Sequence, residues 1–389
     1  MFLGNTVFLL GGGRMGIVAA RDLVRTDCID SVIVGDFDIS RTESLAQSIG
    51  SDKISTKRVD ATRHDNLVDA IRGADVLINA IWYEHNLEVM KATIEANIHY
   101  NDLGGLFHMT RKQLNLDEEA RQAEVTAVLG GGESPGITNV LVALCAERLD
   151  SIEDIRIRVG GKEKVRSAND KLVFPFAVST VFDEYSIPPV TYLNGNFCEV
   201  PPLSGEEEVS FPQPVGPNRC HHTIHSEIAT LPLSYKGVNN VDFKLGISEE
   251  IFKTIKPLID AGLADTNKID VKGMKISPRE YAIAYLTSRI SNEEPVRYVA
   301  VRTEVDGRKE GRHLTITANL IGEPSDEFGV KNATALLTGT SASIIAQLIV
   351  NGTVTRRGVS APETCVPPHA FINELEKRSI RVQLTEEPS

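Results

Sequence analysis

A glycine-rich turn near the N-terminus has the residue types and the spacing that suit a phosphate group. The β-rich run Thr6–Leu10 leads into a Gly-Gly-Gly-Arg-Met-Gly segment that fits the pattern G-x-G-x-x-G. Its glycines permit a tight turn, a close approach of a pyrophosphate to the backbone, and contact between the next helix and the sheet. Free N–H groups at the start of that helix favour an anion. The residues predicted to bind a dinucleotide here are Gly11, Gly13, Arg14, Met15 and Gly16.

An acidic residue follows the second predicted strand. Asp36 stands 20 residues after Gly16, where a carboxylate hydrogen-bonds the adenosine ribose and repels a 2′-phosphate. The sequence therefore predicts NAD rather than NADP, although the nearby Arg41 would partly offset that repulsion. The alternative is a glycine turn without a nucleotide, in which Asp36 caps a helix.

Two further strand ends carry polar residues that point to the same ligand. Asp60 and Ala61 follow the third predicted strand, and Asn79 and Ala80 follow the fourth. Ligands bind beyond the carboxyl ends of parallel strands, so all four residues are predicted to contact the cofactor. Asp60 would lie near the adenine, or it would cap the next helix instead.

Alternating β-rich and helical runs from Asn5 to about Val128 are typical of a parallel sheet built from βαβ units. The predicted strands are Thr6–Leu10, Ser31–Val34, Lys57–Val59, Val76–Ile78, His99–Asn101 and Thr126–Leu129. The predicted helices are Met15–Thr26, Arg41–Ile49, His64–Arg72, Leu87–Glu95 and Asp117–Glu124. The pattern predicts an α/β fold with a doubly wound Rossmann sheet.

After Leu149 the pattern changes to an α+β domain with a mostly antiparallel sheet. Asp306-Gly307 predicts a tight hairpin. The other expected elements are strands at Ser234–Leu245, Arg297–Val305 and His313–Ile321, and helices at Ser248–Ala261, Pro278–Ser288, Ser341–Ile349 and Phe371–Lys377. We expect a dinucleotide domain at 1–133, a substrate and dimerisation domain at 134–337, and a returning segment at 338–389.

Composition excludes several classes of partner. The 389 residues carry a formal charge of −12, which argues against nucleic acid and anionic membranes as partners. No run of about 18 apolar residues is evident, so no membrane span is expected. Five scattered cysteines without a CxxC pair favour a reduced, cytoplasmic setting.

Four motifs together resemble the saccharopine dehydrogenase superfamily, and within it proteins of the lysine 6-dehydrogenase type. The motifs are Leu10–Gly16, Asn79–Tyr83, Asp102–Gly105 and Gly132–Asn139. The resemblance implies NAD(P)-linked oxidation of an amine-bearing carbon, or its reversal as a reductive condensation. It also implies a homodimer that acts on a small amino acid or amine.

The resemblance also supplies candidate catalytic residues. Tyr83, Asp102 and Glu133 match motif positions near the expected nicotinamide, where Tyr83, Asp102 and Gly104 would also contact the cofactor. A base is needed because the amine must be neutral when the hydride leaves. Two structural alternatives remain open: Asp102 as a loop carboxylate that accepts backbone N–H bonds, and Glu133 as a helix cap.

A histidine cluster in the second domain has two interpretations. His222 and Thr223 match a family His-Thr pair and, with Arg219, are predicted to bind substrate. His221, His222 and His225 form an HHxxH string, but no nearby cysteine or acid completes a zinc set, so no metal is predicted. Arg297 and Arg302 are further candidate partners for a substrate carboxylate.

One departure from the family pattern bears on the substrate. Leu336 stands where relatives tend to have an arginine, a natural carboxylate clamp. Three hypotheses follow: an NAD-dependent amine oxidoreductase resembling lysine 6-dehydrogenase, a reductive-condensation enzyme, and an NAD-binding protein without catalysis. The missing arginine favours the third.

Overall fold

The computed structural model describes residues 4–164, 174–246, 248–289 and 296–388. Its N-terminal part alternates strands and helices as the sequence predicts. The strands are β1 (Thr6–Leu10), β2 (Ser31–Asp36), β3 (Ile54–Arg58), β4 (Val76–Asn79), β5 (His99–Asp102) and β6 (Thr126–Val128). The helices are α1 (Arg14–Leu23), α2 (Ile39–Ile49), α3 (His64–Ile71), α4 (Asn86–Glu95), α5 (Leu106–Leu114) and α6 (Asp117–Gln122).

The remainder of the chain is richer in strands. These are β7 (Ser151–Glu163), β8 (Val190–Leu193), β9 (Asn196–Glu199), β10 (Glu207–Ser210), β11 (Pro217–His222), β12 (Asn240–Gly246), β13 (Ile269–Val271), β14 (Met274–Ile276), β15 (Arg297–Lys309), β16 (Arg312–Gly322), β17 (Gly358–Ser360) and β18 (Val382–Pro388). The helices are α7 (Ile137–Ala146), α8 (Val178–Ser186), α9 (Glu227–Ser234), α10 (Glu249–Leu258), α11 (Pro278–Arg289), α12 (Ala333–Val350), α13 (Pro362–Cys365) and α14 (Pro368–Lys377).

Two large sheets organise the described residues. The first is parallel throughout, in the order β17-β6-β5-β4-β1-β2-β3, and it places the carboxyl ends of β1, β2 and β4 side by side. The second runs β10-β11-β12-β7-β15-β16-β18, with only its β12–β7 pair parallel in the part of the chain described. The predicted fold class, a Rossmann sheet plus a mostly antiparallel α+β unit, is confirmed.

The long hairpin turns at a different place from the one predicted. Strand β15 continues through Asp306-Gly307, and the turn falls at Glu310-Gly311, where both residues have positive φ. Gly307 instead lies at a shift in the pairing of β15 with β7, where a Cβ would stand 2.0 Å from the Ser151 carbonyl oxygen. The glycine is therefore required by a strand irregularity rather than by the turn.

Several other elements differ from their predicted positions. Ser234–Leu245 is not one strand, because α9 ends at Ser234 and β12 begins only at Asn240. The two short strands β17 and β18 were not predicted, and they join different sheets, β17 beside β6 and β18 beside β16. Helix α12 crosses the expected boundary at 337/338, so the division of the chain into domains stays a prediction.

Helix α12 is long and apolar enough to cross a membrane by length and composition, a property no other helix of the described residues shares. It begins earlier than predicted, because the Asn332 side chain accepts a hydrogen bond from the Thr334 N–H and caps the first turn. Most of the helix is buried within the fold, against α1, α14, β4 and β5. Packing between protein elements therefore accounts for its apolar composition.

A buried charge network ties the C-terminal segment to the first helix. Arg378 donates to both carboxylate oxygens of Asp22, at 2.7 and 2.8 Å. Ser343 and Gln347 of α12 donate to the same carboxylate, at 2.6 and 3.0 Å. Because Asp22 is 3% exposed, removal of the arginine would leave a buried charge without its counter-ion.

We expect Arg378→Ala to lower the free energy of unfolding by about 3 kcal/mol, the usual cost of breaking a buried ion pair. Lys377→Ala removes the neighbouring, exposed cation and is expected to cost less than about 0.5 kcal/mol. Urea unfolding of the two variants compares them directly. Equal free energies of unfolding for the two variants would show that the Asp22–Arg378 network does not stabilise the packing of the C-terminal segment.

Candidate functional site

The glycine turn has the close contacts and the open side that a dinucleotide site needs. Gly11 has φ +108°, and a Cβ there would lie 2.8 Å from the Ala80 carbonyl oxygen. A Cβ on Gly16 would stand 2.0 Å from the Gly11 carbonyl oxygen, whereas one on Gly13 would meet no described atom within 4 Å. Helix α1 starts at Arg14 without a side-chain cap, so its N–H groups remain available. The turn therefore fits a pyrophosphate.

Asp36 lies where the sequence places it, beside the turn. Its Oδ2 accepts the Gly12 N–H at 2.9 Å, and its Oδ1 accepts the Asp38 N–H at 2.9 Å. Arg41 approaches to 3.6 Å, and the helix cap of α2 is Asp38 rather than Asp36. The capping alternative for Asp36 is therefore wrong.

The next two strand ends behave differently from each other. Asp60 accepts hydrogen bonds from the N–H and hydroxyl of Thr62, which lower the pKa of its carboxyl group. The N-cap residue of α3 is Arg63, whose side chain makes no capping hydrogen bond. Ala61 is half-buried beside it. Asn79 is buried and donates to Asn86 at 2.9 Å, so its amide fixes the loop after β4. Ala80 lines a cavity beside the glycine turn.

Hydrogen-bond donors surround both carboxylate oxygens of Asp102. Its Oδ1 accepts the N–H groups of Gly104 and Gly130, and its Oδ2 accepts from side chains. These side-chain donors are Tyr100 at 2.9 Å, Gln113 at 2.7 Å and Asn86 at 3.2 Å. Burial raises the pKa of Asp102, which is fully enclosed and absent from the cavity lining. The expected roles in catalysis and cofactor binding are therefore corrected: Asp102 holds the loops around it.

A cavity of about 330 Å³ opens beside the glycine turn, between the two sheets. The first sheet's side contributes Met15, Ala80, Trp82, Tyr83 and Gly104. The second sheet's side contributes the apolar residues Val159, Phe243, Leu245 and Val299. Its acidic and basic side chains are Glu133, Glu184, His225 and Arg297. Such a mostly apolar cavity with a few charged groups is typical of a small-molecule site.

His225 lines the cavity and is paired with the buried Glu227. His225 Nδ1 lies 2.6 Å from Glu227 Oε2, and Glu227 Oε1 accepts the hydroxyls of Ser134 and Thr138 at 2.6 and 2.8 Å. Burial lowers the pKa of His225, but the Glu227 carboxylate outweighs it, so the pKa lies above its usual value. Burial alone would raise the pKa of Glu227, but the neighbouring His225 outweighs this effect, so the pKa of Glu227 is lowered. The two groups therefore form an ion pair that leaves His225 Nε2 to exchange a proton.

The cavity also contains the carboxyl groups of Glu133 and Glu184. Burial raises the pKa of Glu133 and of Glu184 to about 8 each. Glu133 Oε1 and Glu184 Oε2 have no hydrogen-bond partner among the described residues. Helix α7 is capped at Gly136, whose N–H donates to Asn139, so the capping alternative for Glu133 is wrong. Buried oxygens of this kind are typical of a site that awaits a ligand.

Tyr83 lines the cavity but is not prepared to act as a base. Its hydroxyl donates to Asp183 Oδ2 at 2.8 Å, and Arg279 binds the other oxygen of that carboxylate. Burial and the nearby carboxylate raise the pKa of Tyr83. The arrangement favours a positioning role for Tyr83, which joins the loop after β4 to α8.

The predicted substrate residues of β11 lie outside the cavity lining. Arg219 is exposed, Thr223 is buried, and His222 lies 3.5 Å from the Asp242 carboxylate. Neighbouring residues of a strand face opposite sides, so His221 packs on Phe252 while His222 turns away. No group of three metal-ligating side chains occurs within the described ranges.

Leu336 also lies away from the cavity. It packs with Val18, Phe328 and Val330 in a small core cluster. In this chain Leu336 is therefore a core residue and does not line the cavity. Arg297, in contrast, lines the cavity, with its guanidinium bound to Glu163 and to the Thr334 hydroxyl.

Three residues of the site, His225, Glu227 and Glu184, are absent from the predicted catalytic and binding residues. His225 enters the sequence analysis only as a possible metal ligand, although the acid two residues later is a signal for a paired histidine. Glu227 belongs to no recognised motif, and Glu184 lies on α8, a helix that the sequence analysis does not predict.

A dinucleotide turn that borders a cavity with an ionised histidine pair defines an NAD(P)-dependent dehydrogenase. Two family profiles match the chain: the saccharopine dehydrogenase NADP binding domain at residues 7–128 and the saccharopine dehydrogenase C-terminal domain at residues 132–380. The chain therefore belongs to the saccharopine dehydrogenase family, as its motifs predict.

Relatives cover nearly the whole chain. It is 22% identical to carboxyaminopropylagmatine dehydrogenase of Synechocystis sp., across 95% of this chain and 94% of the relative. It is also 22% identical to carboxynorspermidine synthase of Vibrio alginolyticus, with the same coverage. Apo saccharopine dehydrogenase (L-Glu forming) of Saccharomyces cerevisiae has a similar fold, with a TM-score of 0.75, 18% identity, and coverage of 99% of this chain and 100% of that one.

The raised pKa of Glu133 predicts a pH-dependent stability. The folded protein keeps a proton that the unfolded chain, with an ordinary pKa near 4.5, has released, so stability falls as pH rises from about 4.5 to 8. Glu133→Gln removes this effect. We expect the variant to melt a few degrees above the wild type at about pH 8.5 and at the same temperature near pH 5.

The exposed Glu43 supplies a control, since Glu43→Gln should leave the melting temperature unchanged at both pH values. A Glu133→Gln variant that is less stable than the wild type at about pH 8.5 would show that Glu133 is ionised and favourably paired.

Proposed function

We propose that this protein joins an amine to a carbonyl compound by reducing their imine, and cleaves the resulting secondary amine in the reverse direction. The observation that carries this proposal is the cavity of about 330 Å³ lined by His225 and by two buried carboxyl groups, Glu133 and Glu184, each with one oxygen that has no hydrogen-bond partner among the described residues. Such a volume lies within the usual range for small-molecule sites. The names of both sequence relatives denote carboxylated molecules with several nitrogens, which supports a secondary amine over lysine.

The proposed sequence of steps uses groups that already line the cavity. An entering ammonium group favours the ionised form of Glu133, which accepts a proton from it, and the neutral nitrogen bonds to the carbonyl carbon. His225 Nε2 donates a proton to the carbonyl oxygen, takes one back from the added nitrogen and passes it to the new hydroxyl group, which leaves as water and gives the protonated imine. A reduced dinucleotide held at the glycine turn by Gly11, Gly13 and Gly16 would supply the hydride that the imine carbon needs. Glu227 is a positioning residue, because it holds the histidine through Nδ1.

Substitution of the histidine tests this assignment. His225→Gln is expected to lower kcat by about 10²- to 10⁴-fold, the usual contribution of a general acid–base group, with cofactor affinity unchanged. His221→Gln changes a neighbouring histidine outside the cavity lining and should retain wild-type kcat. Full activity in His225→Gln would remove the histidine from the mechanism.

The reaction itself is tested with the purified chain, reduced cofactor, and panels of amines and carbonyl compounds. We expect reduced nicotinamide to be consumed only when an amine and a carbonyl compound are present together. Formation of reduced nicotinamide from L-lysine and NAD alone would favour the lysine 6-dehydrogenase hypothesis instead. Cofactor binding without turnover of any amine or carbonyl compound would favour the hypothesis of a non-catalytic NAD-binding protein.

We also propose NAD as the preferred cofactor, because the Asp36 carboxylate borders the turn at 2.9 Å from the Gly12 nitrogen. Asp36→Ala should weaken NAD binding and reduce the preference for NAD over NADP by about tenfold, since it removes one charge repulsion. Fluorescence titration with both reduced cofactors measures this, with Glu43→Ala as the control. An unchanged NAD affinity would exclude the ribose role.

The family resemblance further supports a homodimer, which we propose together with a cytoplasmic location. All five cysteines are free, in keeping with a reducing compartment.

A further inference from the structure

A buried acid of the C-terminal segment takes no part in the steps proposed above. Glu363 lies on α13, is 9% exposed, and is absent from the cavity lining. Its two carboxyl oxygens accept hydrogen bonds from different helices. Asn139 Nδ2 of α7 donates to Oε2 at 2.8 Å, and the Ser234 hydroxyl of α9 donates to Oε1 at 2.8 Å. Glu363 therefore links two helices that neighbour the chemical groups of the cavity.

The edge of the first sheet fixes the place of this acid. Strand β17 pairs in parallel with β6, with Ser360 opposite Val128. Beyond β6 the chain enters the loop that carries Glu133, and beyond β17 it enters α13 with Glu363. Because parallel strands that lie side by side end at the same edge of a sheet, the acid and the loop are neighbours.

Asn139 transmits the contact to the loop that carries Glu133. While its amide N–H is donated to Glu363, its Oδ1 accepts the Gly136 N–H at 3.0 Å. Gly136 has φ +130°, and a Cβ there would stand 2.1 Å from the Gly132 carbonyl oxygen, so the loop is tightly closed. A rotated Asn139 amide would place two donors face to face at Gly136. Glu363 therefore keeps the amide in the orientation that holds the loop.

Ser234 transmits the second contact to the histidine pair. Helix α9 begins at Glu227, which binds His225, and ends at Ser234, about 10 Å further along its axis. Glu227 attaches the start of α9 to the start of α7, and Glu363 attaches the end of α9 to the same helix. Two attachments fix the orientation of α9 against α7, whereas a single one would allow a pivot.

We propose that Glu363 is a positioning residue that holds Glu133 and His225 at the separation that proton transfer requires. It acts through Asn139 and Ser234 and touches neither the substrate nor the cofactor. This inference rests on the proposed function, because the two groups that it positions are those that exchange protons there.

The kinetic test uses the most active pair from the amine and carbonyl panels. Glu363→Ala removes both contacts and should lower kcat about 10- to 100-fold, since small displacements of reacting groups cost this much. The Kd for reduced cofactor should change less than about twofold. Glu363→Gln retains an oxygen for Asn139 and offers its NH2 group to the Ser234 hydroxyl, so its kcat should lie within about threefold of wild type. Glu376→Gln, at an exposed acid of the same segment, should retain wild-type kcat.

Two further variants test the route of the effect. If Glu363 acts through Asn139, Glu363→Ala should cost at least about threefold less in kcat in an Asn139→Ala background than in the wild type. Ser234→Ala removes one contact and leaves the acid in place, so it remains informative if Glu363→Ala does not fold, and it should lower kcat several-fold. Wild-type kcat in Glu363→Ala, equal losses in the Ala and Gln variants, or an unchanged kcat in Ser234→Ala would overturn the inference while the proposed function stands.

A stability measurement decides the inference if the reaction fails. Burial raises the pKa of Glu133 to about 8, so Glu133→Gln is expected to raise the melting temperature by a few degrees at about pH 8.5. In a Glu363→Ala background the loosened loop admits water to Glu133, and the same substitution should gain less than about one degree. Arg297 and His225, the charged groups that face Glu133, are present in both backgrounds.

The outcomes of this measurement separate the two proposals. If no amine and carbonyl pair is turned over, yet the gain from Glu133→Gln disappears in the Glu363→Ala background, the proposed function fails and the positioning of Glu133 stands. A gain of the same size in both backgrounds would overturn the positioning role.

Discussion

The buried contact between His225 and Glu227 is the interaction around which the site is organised. Glu227 is fully enclosed, and such a charge is tolerated only when partners surround it. Its partners come from two parts of the chain: the histidine before α9, and the hydroxyls of Ser134 and Thr138 at the start of α7. The contact therefore fixes the segment that leaves the first sheet against the second domain. The cavity is lined from both parts, by Ser134 on one side and by His225 on the other.

Hydrogen-bond satisfaction separates the structural acids from the chemical ones. Asp102 and Glu133 are both buried, and burial raises the pKa of each. The five donors around Asp102 leave it no capacity for a ligand, whereas Glu133 has a free oxygen that lines the cavity. Both residues match family motifs, so the motif alone cannot distinguish these roles. The distinction lies in which groups the fold brings around each carboxylate.

Local features of the molecule could be predicted from the sequence with good accuracy. The β1 strand has its predicted bounds, and the glycine turn precedes a helix, because short-range spacing determines both. The saccharopine dehydrogenase family could likewise be identified from four motifs. The hairpin is present, but its predicted turn at Asp306-Gly307 was wrong, because a local turn signal cannot reveal that a third strand, β7, requires a glycine there.

The candidate site was less accessible to prediction, since its chemistry arises from long-range contacts. Glu184 and His225 are 41 residues apart in sequence, and Glu184 comes from α8, which packs in a separate core cluster with α10 and α11. His222 and Thr223 matched a family pattern and Arg219 was a candidate carboxylate partner, but all three lie outside the cavity lining. The acids and the histidine come from segments far apart in sequence, so no local motif reveals that they line one cavity.

The central claim is that His225 Nε2 exchanges protons with the condensing carbonyl oxygen and amine nitrogen in the cavity beside the glycine turn. The most direct test is a crystal structure of the full chain with oxidised cofactor and the secondary amine that it forms. The account predicts the amine nitrogen within about 3.2 Å of His225 Nε2, with Glu227 still bound to Nδ1. An amine nitrogen placed beyond reach of His225, against Tyr83 or on the β11 residues, would contradict it.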